Sequence, residues 1–156
     1  MSPAPDGRTA RIVEVGTKEV TDREAVAECT VTMTPDACAR LVAGTSKGNP
    51  IEAARIAGVF GVKRTPDLLP FCHPIAVTGA EVTVEPEEAT GRIRVWTTVR
   101  ARDRTGVEME ALTAAAVAAL SLYDTAKAFD RSARIDGLRL LAKSGGKSGD
   151  YRADDA

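Results

Sequence analysis

The chain has 156 residues, of which 44% are hydrophobic, and this size and composition predict one domain with its own core. Its 21 Lys and Arg against 22 Asp and Glu give a net charge of −1, and aromatic residues make up 4%, which argues against binding nucleic acid by a basic surface or by base stacking. One histidine and three cysteines without ligand spacing (Cys29, Cys38 and Cys72) argue against a metal site.

No signal-peptide pattern opens the sequence, and no apolar run approaches the length of a membrane span. We therefore expect a cytoplasmic protein with reduced thiols and no membrane contact. Residues 1–8 have the composition of a disordered lead-in. Residues 9–151 are expected to form the single domain, with residues 152–156 as a tail.

The first predicted elements are a strand and two helices. Apolar and polar residues alternate over residues 25–33, as in a half-buried strand. Thr34, followed by Pro and Asp, predicts the cap of a helix that ends near Gly44. Asn49, followed by Pro, predicts the cap of a second helix that ends near Gly61.

A proline-bounded segment follows the second helix. Pro66 and Pro70 predict a turn or a single helical turn over residues 65–70. Lys63 and Arg64 then stand at the predicted helix end, where a basic pair satisfies the C-terminal carbonyls.

The second half of the chain is predicted to contain two strands joined by a hairpin loop, a long helix and a final strand. These elements cover residues 81–85, 92–100, 107–129 and 135–142, with the hairpin loop at residues 86–91. With one helix counted as an insertion, the order is βαββαβ. The predicted fold is therefore α+β and ferredoxin-like, with an antiparallel four-stranded sheet, helices on one face and one inserted helix.

The long helix is nearly all apolar from Ala111 to Ala128, with Asp124 and Lys127 as the exceptions. A helix that is apolar on all sides is normally buried on all sides, so we expect one face to pack on the sheet and the other to meet another subunit. Asp124 and Lys127 lie three residues apart and share a face. They are either a simple intrahelical ion pair near the helix end or a functional pair of charges.

Two glutamates stand at the other end of this helix. Glu108 either completes a capping box with Thr105 or belongs to a site with Glu110. Glu110 precedes Asp124 by 14 residues, which is roughly 21 Å along a helix. One small ligand cannot touch both from a single helix. If both are functional, the site should be shared by two such helices that run antiparallel across a two-fold axis.

The glycine-rich stretch at residues 143–151 predicts a phosphate site. Glycines let backbone N–H groups approach an anion, and Lys143 and Lys147 add positive charge. The stretch lacks the first glycine of a Walker A loop. The alternative is a flexible basic tail. Lys47, just before the second helix, also lies where an anion is favoured.

His73 is held between Pro70 and Pro74, so its side chain suits a fixed proton donor or acceptor, although a lone loop histidine is more often structural. The candidate residues are several lysines, one histidine and a few carboxylates, and the sequence has neither a nucleophile elbow nor a dinucleotide motif. This set indicates proton transfer on a phosphorylated small molecule.

Four motifs in this order resemble the MoaC family, and the similarity covers about residues 9–151. The motifs are Phe71-Cys72-His73-Pro74, Gly106-Val107-Glu108-Met109-Glu110-Ala111-Leu112-Thr113-Ala114, Tyr123-Asp124 with Lys127, and Leu141-Ala142-Lys143-Ser144-Gly145-Gly146-Lys147-Ser148-Gly149-Asp150. The resemblance implies a ferredoxin-like subunit in a homohexamer, a trimer of dimers with sites at the dimer interface.

The implied activity is that of a lyase in molybdenum cofactor (molybdopterin) biosynthesis. It converts a cyclised GTP, (8S)-3′,8-cyclo-7,8-dihydroguanosine 5′-triphosphate, to cyclic pyranopterin monophosphate and diphosphate. No cofactor is expected, although Mg²⁺ can accompany the triphosphate. The implied catalytic residues are Asp124, Lys127, Lys47 and His73. The implied substrate-binding residues are Phe71, Cys72, Glu108, Met109, Glu110, Lys143, Lys147 and Arg23.

As a mechanistic hypothesis, Asp124 and Lys127 form a proton-transfer pair, with the pKa of Lys127 lowered by burial. Two alternatives remain. A non-catalytic nucleotide-sensing oligomer of ferredoxin-like subunits would not need that pair. A pure assembly subunit would leave His73 and both glutamates unexplained.

Overall fold

The computed structural model describes residues 9–155, so the lead-in predicted at residues 1–8 lies outside the described residues. The elements are β1 Thr21–Thr32, α1 Pro35–Val42, α2 Pro50–Leu68, β2 Val77–Glu87, β3 Arg92–Asp103, α3 Glu108–Ala126, β4 Arg134–Ser144 and β5 Tyr151–Arg152. The strands form one antiparallel sheet in the order β2-β3-β1-β4-β5. The α+β, βαββαβ prediction with one inserted helix is confirmed.

The sheet has five strands, so the prediction of four was one short. Tyr151 pairs with Lys143, and Arg152 pairs with Ala142, at the end of β4. A strand of two residues is too short to produce an alternating pattern that the sequence could reveal. The start of the predicted tail is therefore the outer edge of the sheet.

The core lies between the sheet and α3. Alternate residues of β1 are buried, as the sequence predicts, and they are Ala25, Ala27, Cys29 and Val31. Five alanines of α3, from Ala111 to Ala119, are fully buried. Because alanine side chains are small, α3 can approach the sheet closely. The Cys29 thiol donates a hydrogen bond to the Ala115 carbonyl at 3.4 Å.

The opposite side of α3 packs largely against α2 of the same chain. A Cβ at Gly61 would lie 3.1 Å from the Thr113 carbonyl oxygen and 3.2 Å from Ala114 Cα, so glycine allows the two backbones to approach each other. Much of the face of the long helix that was expected to meet another subunit is therefore covered by α2 of the same chain, and contact with another subunit stays a prediction. Leu120, near the end of α3, remains 56% exposed.

Helix α2 continues to Leu68, seven residues beyond Gly61, where the sequence predicted its end. Pro66 lies inside the helix, and the hydroxyl of Thr65 donates to the Gly61 carbonyl at 2.9 Å. Of the two alternatives predicted for residues 65–70, the turn is wrong over residues 65–68, and the helical conformation is present there as the last part of α2. Lys63 lies in the helix interior, so the prediction that it satisfies terminal carbonyls is also wrong.

The first two helix starts are confirmed. Thr34 accepts a hydrogen bond from the Ala37 N–H at 3.3 Å. Asn49 accepts from Ile51 at 2.9 Å and from Glu52 at 3.3 Å. Among the helices within residues 9–155, none is long and apolar enough to cross a membrane.

Candidate functional site

Eight of the twelve predicted site residues fall into two groups at opposite ends of α3. We define the α3 N-terminal cluster as Arg23, Cys72, Glu108, Glu110 and Lys143, and the α3 C-terminal cluster as Lys47, Asp124 and Lys127. Glu110 and Asp124 both lie on α3, so their separation is roughly 21 Å along the helix axis. One subunit therefore does not bring the two clusters to one small ligand.

Glu108 links the start of α3 to the glycine-rich loop. Its Oε1 lies 3.5 Å from Lys143 Nζ, and Lys143 also donates to Ser148 Oγ at 2.6 Å. Helix α3 begins after Val107 without a side-chain capping hydrogen bond. The capping box of Thr105 and Glu108 is therefore wrong, because Glu108 faces a lysine at the end of β4 instead.

The glycine-rich loop folds back onto β4 rather than extending as a basic tail. Gly145 and Gly146 have φ values of 88° and 82°, which favour glycine. A Cβ at Gly146 would collide with the guanidinium of Arg23, whose Nη1 lies 3.5 Å from the Gly145 carbonyl oxygen. The Gly145 N–H donates to the Asp150 carboxylate at 3.2 Å, so this loop already directs one amide at an anionic group.

Glu110 is a buried carboxyl group with an unusual proton affinity. It is 2% exposed, and burial raises its pKa from 4.5 to about 7, with the charge of Glu108 adding to the effect. Burial, followed by the charge of Glu110, also raises the pKa of the Cys72 thiol. Within residues 9–155, Glu110 has no ion-pair partner. Near neutral pH it can therefore hold or release a proton.

This shifted pKa predicts pH-dependent stability. Because the pKa of Glu110 in the folded chain exceeds its ordinary value, the stability that its proton provides is fully present below pH 4.5 and is lost as pH rises to about 7. The loss is roughly 3 kcal/mol. In Glu110→Gln, the free energy of unfolding should no longer fall between these pH values. Urea unfolding at about pH 5 and about pH 8 measures this difference.

The matched control for this experiment is Glu85→Gln, at an exposed position of β2. It should keep the wild-type difference in unfolding free energy between the two pH values. An equally large difference in Glu110→Gln would contradict the assignment of the titration to Glu110.

His73 follows Cys72 in the sequence but lines a different pocket from the one that Glu110 lines. It lines a pocket of about 400 Å³ together with residues 12–16, Asp103 and Arg104. Backbone N–H groups of Arg104 and Ala76 lower the pKa of Asp103, and the charge of His73 contributes less. The histidine is thus half-buried beside a carboxylate that stays ionised.

A larger pocket of about 590 Å³ lies between α2 and the segment at residues 74–80, and Glu110 forms part of its wall. Lys63 lines the same pocket. The sequence did not place this lysine in a pocket, because α2 was predicted to end at Gly61 and instead continues to Leu68.

The α3 C-terminal cluster is exposed in the subunit. Lys127 Nζ lies 2.6 Å from Asp124 Oδ1, and the two side chains are 57% and 70% exposed. The hydrogen bond from Lys127, followed by its charge, lowers the pKa of Asp124, with a smaller effect from Lys47. The pKa of Lys127 is raised, mainly by the hydrogen bond to Asp124. The hypothesis of a lowered lysine pKa is therefore wrong for the subunit, because Lys127 is exposed and has a carboxylate partner.

Three other predicted residues have accessible side chains. Phe71 and Met109 are exposed apolar residues beside the α3 N-terminal cluster, and Lys147 is exposed in the glycine-rich loop.

Throughout residues 9–155, no three His, Cys, Asp or Glu side chains come close enough to hold a metal ion.

Comparison with known proteins identifies one family. Residues 12–146 match the sequence profile of the MoaC family. Three similar proteins are each named cyclic pyranopterin monophosphate synthase. The one from Parvibaculum lavamentivorans is 51% identical over 92% of this chain and 91% of its own. The one from Roseiflexus sp. is 50% identical over 93% and 92%, and that of Brucella ovis is 49% identical over 94% and 89%.

Proposed function

The chain belongs to the MoaC family, and we propose that it catalyses the cyclic pyranopterin monophosphate synthase reaction of molybdenum cofactor biosynthesis. The substrate is (8S)-3′,8-cyclo-7,8-dihydroguanosine 5′-triphosphate, and the products are cyclic pyranopterin monophosphate and diphosphate. The observation that carries this proposal is the 51% identity over 92% of the chain to a relative of that name.

The working unit in this proposal is a homohexamer built as a trimer of dimers. Its support is the division of the site residues between the two ends of α3, roughly 21 Å apart. A second subunit that runs antiparallel would place its α3 C-terminal cluster beside the α3 N-terminal cluster of the first. Each dimer then contains two complete sites.

In the proposed mechanism, Lys127 donates a proton to the reacting ring system and Asp124 holds the ammonium group in position. The donor role agrees with a lysine whose pKa is raised by its carboxylate neighbour, since such a lysine carries its proton at neutral pH. His73 transfers a further proton or positions a phosphate oxygen. Phe71, Cys72, Glu108, Met109 and Glu110 contact the guanine-derived ring.

The phosphate end is held by cationic side chains. Lys143, Lys147 and Lys47 bind the triphosphate, with Arg23 beside the glycine-rich loop. A hydroxyl oxygen of the substrate attacks the α-phosphorus and gives up its proton to water, the bond from the α-phosphorus to the bridging oxygen of the β-phosphate breaks, and diphosphate leaves with the bonding electrons. Positive charge at this end stabilises the leaving group.

We propose that no cofactor resides in the protein and that Mg²⁺, where it takes part, arrives with the triphosphate. We also infer a cytoplasmic location, supported by three free cysteines, of which Cys29 and Cys38 are buried in the core.

The test is incubation of the purified protein with the cyclised GTP substrate and measurement of released diphosphate. Stoichiometric conversion to cyclic pyranopterin monophosphate is the expected result. Tight binding without diphosphate release would instead indicate a nucleotide sensor.

A further inference from the structure

Lys63 occupies a position that the family motifs do not cover. It lies in the interior of α2 and lines the pocket of about 590 Å³ whose wall includes Glu110. The pocket therefore contains an amine from one helix and a buried carboxyl group from another.

The amine and the carboxyl group do not neutralise each other. In the described part of the chain, Lys63 makes neither an ion pair nor a side-chain hydrogen bond, and Glu110 has no ion-pair partner. The neighbouring Arg64 differs, because its guanidinium lies 3.2 Å from the Asp67 carboxylate. Lys63 is thus a cation that is free to bind a group that enters the pocket.

The remaining walls decide what kind of group fits. They are mainly apolar, and they include Val59, Val62, Pro66, Pro74, Ile75 and Val77. A phosphate would place its charge against these apolar surfaces and near the Glu110 carboxyl group, which is unfavourable. A planar heterocycle with one donor edge and one carbonyl oxygen suits the apolar walls and both polar groups.

We propose that Lys63 is a further substrate-binding residue, which donates a hydrogen bond to the ring carbonyl oxygen of the guanine-derived substrate while Glu110 faces its N–H edge. The inference rests on the proposed function and adds a specificity determinant to it. The ring carbonyl and the adjacent N–H and amino groups of guanine present an acceptor and donors on one edge, which matches an amine and a carboxyl group in the wall of one pocket. An adenine-type ring carries an amino group where Lys63 requires an acceptor.

The first test compares steady-state kinetics of Lys63→Met with those of the wild type. KM for the cyclised substrate should rise about 10- to 100-fold with a much smaller change in kcat, since a hydrogen bond from a charged donor to the bound ring is lost. Arg64→Met is the matched control, because Arg64 is paired on the exposed side of the same helix. It should keep the wild-type KM.

The second test identifies the contacted atom. GTP and 2-aminoadenosine triphosphate differ at C6, which carries a carbonyl oxygen or an amino group, and at N1, which carries a hydrogen only in GTP. Each is used as a competitive inhibitor of diphosphate release. The wild type should bind GTP more tightly, and Lys63→Met should lose part of that preference, while the part that comes from Glu110 facing N1–H should remain.

The outcomes separate this inference from the proposed function. A wild-type protein that releases no diphosphate removes the proposed function. An active wild type whose KM and inhibitor preference are unchanged in Lys63→Met overturns the role of Lys63 alone. Because Lys63 is exposed on a helix, both variants are expected to keep the wild-type thermal unfolding temperature.

Discussion

Asp124→Asn is expected to lower kcat by about 10²- to 10⁴-fold, the range typical for loss of a group involved in proton transfer. The substitution removes the carboxylate that accepts the hydrogen bond from Lys127 at 2.6 Å, and it keeps the size of the side chain. Lys127 then loses the partner that raises its pKa and fixes its position. Diphosphate release under saturating substrate measures the effect.

Lys127→Arg separates proton transfer from simple charge. Arginine keeps the positive charge but does not give up its proton under these conditions. If Lys127 donates a proton, its arginine variant should lose activity as severely as Lys127→Met. Substantial activity in Lys127→Arg would instead assign an electrostatic role to the lysine.

The control for these variants is Glu52→Gln, which breaks another exposed helical pair with the same spacing, on α2. It should leave kcat within about two-fold of the wild type, since exposed ion pairs contribute little to stability. Near-normal turnover in Asp124→Asn, with this control also active, would refute the assigned pair.

Local patterns predicted much of the fold. The alternation of buried residues in β1 and the helix caps at Thr34 and Asn49 depend only on neighbours within a few residues. The local sequence was therefore enough to predict them. Gly61 was misinterpreted for a physical reason. Glycine often ends a helix because it has no side chain. At Gly61 the missing side chain instead allows α2 to approach Ala114 of α3 closely.

Most of the predicted site residues came from the four motifs, and Lys47 and Arg23 lie outside them, whereas the surroundings of all of them required the tertiary structure. Glu108 has a local capping alternative with Thr105, yet it faces Lys143, which is distant in sequence. The exposure of Lys127 depends on which side of α3 is covered by α2, and an alanine-rich helix gives little indication of that side. Contacts between distant segments thus decide the surroundings of Glu108, whereas the charge state of Lys127 depends on its neighbour Asp124 in the same helix.

Mixing two inactive variants should restore about one quarter of wild-type activity if each site is shared across a two-fold axis. Lys143→Met disables the α3 N-terminal cluster, and Lys127→Met disables the α3 C-terminal cluster. In a mixed dimer, one site combines both intact clusters and the other combines both defects. Random pairing makes about half of the dimers mixed, and half of their sites are intact.

The double variant Lys127→Met/Lys143→Met, paired with wild type in equal amounts, provides the control. Shared sites predict about one quarter of wild-type activity, because every mixed dimer then has one defect in each site. Sites contained within single subunits predict about one half. Co-expression of the two chains in equal amounts produces the random pairing, and diphosphate release per subunit of the unselected protein is compared with these fractions. An inactive mixture of the two single variants, together with half-activity in the control, would mean that one subunit completes its own site.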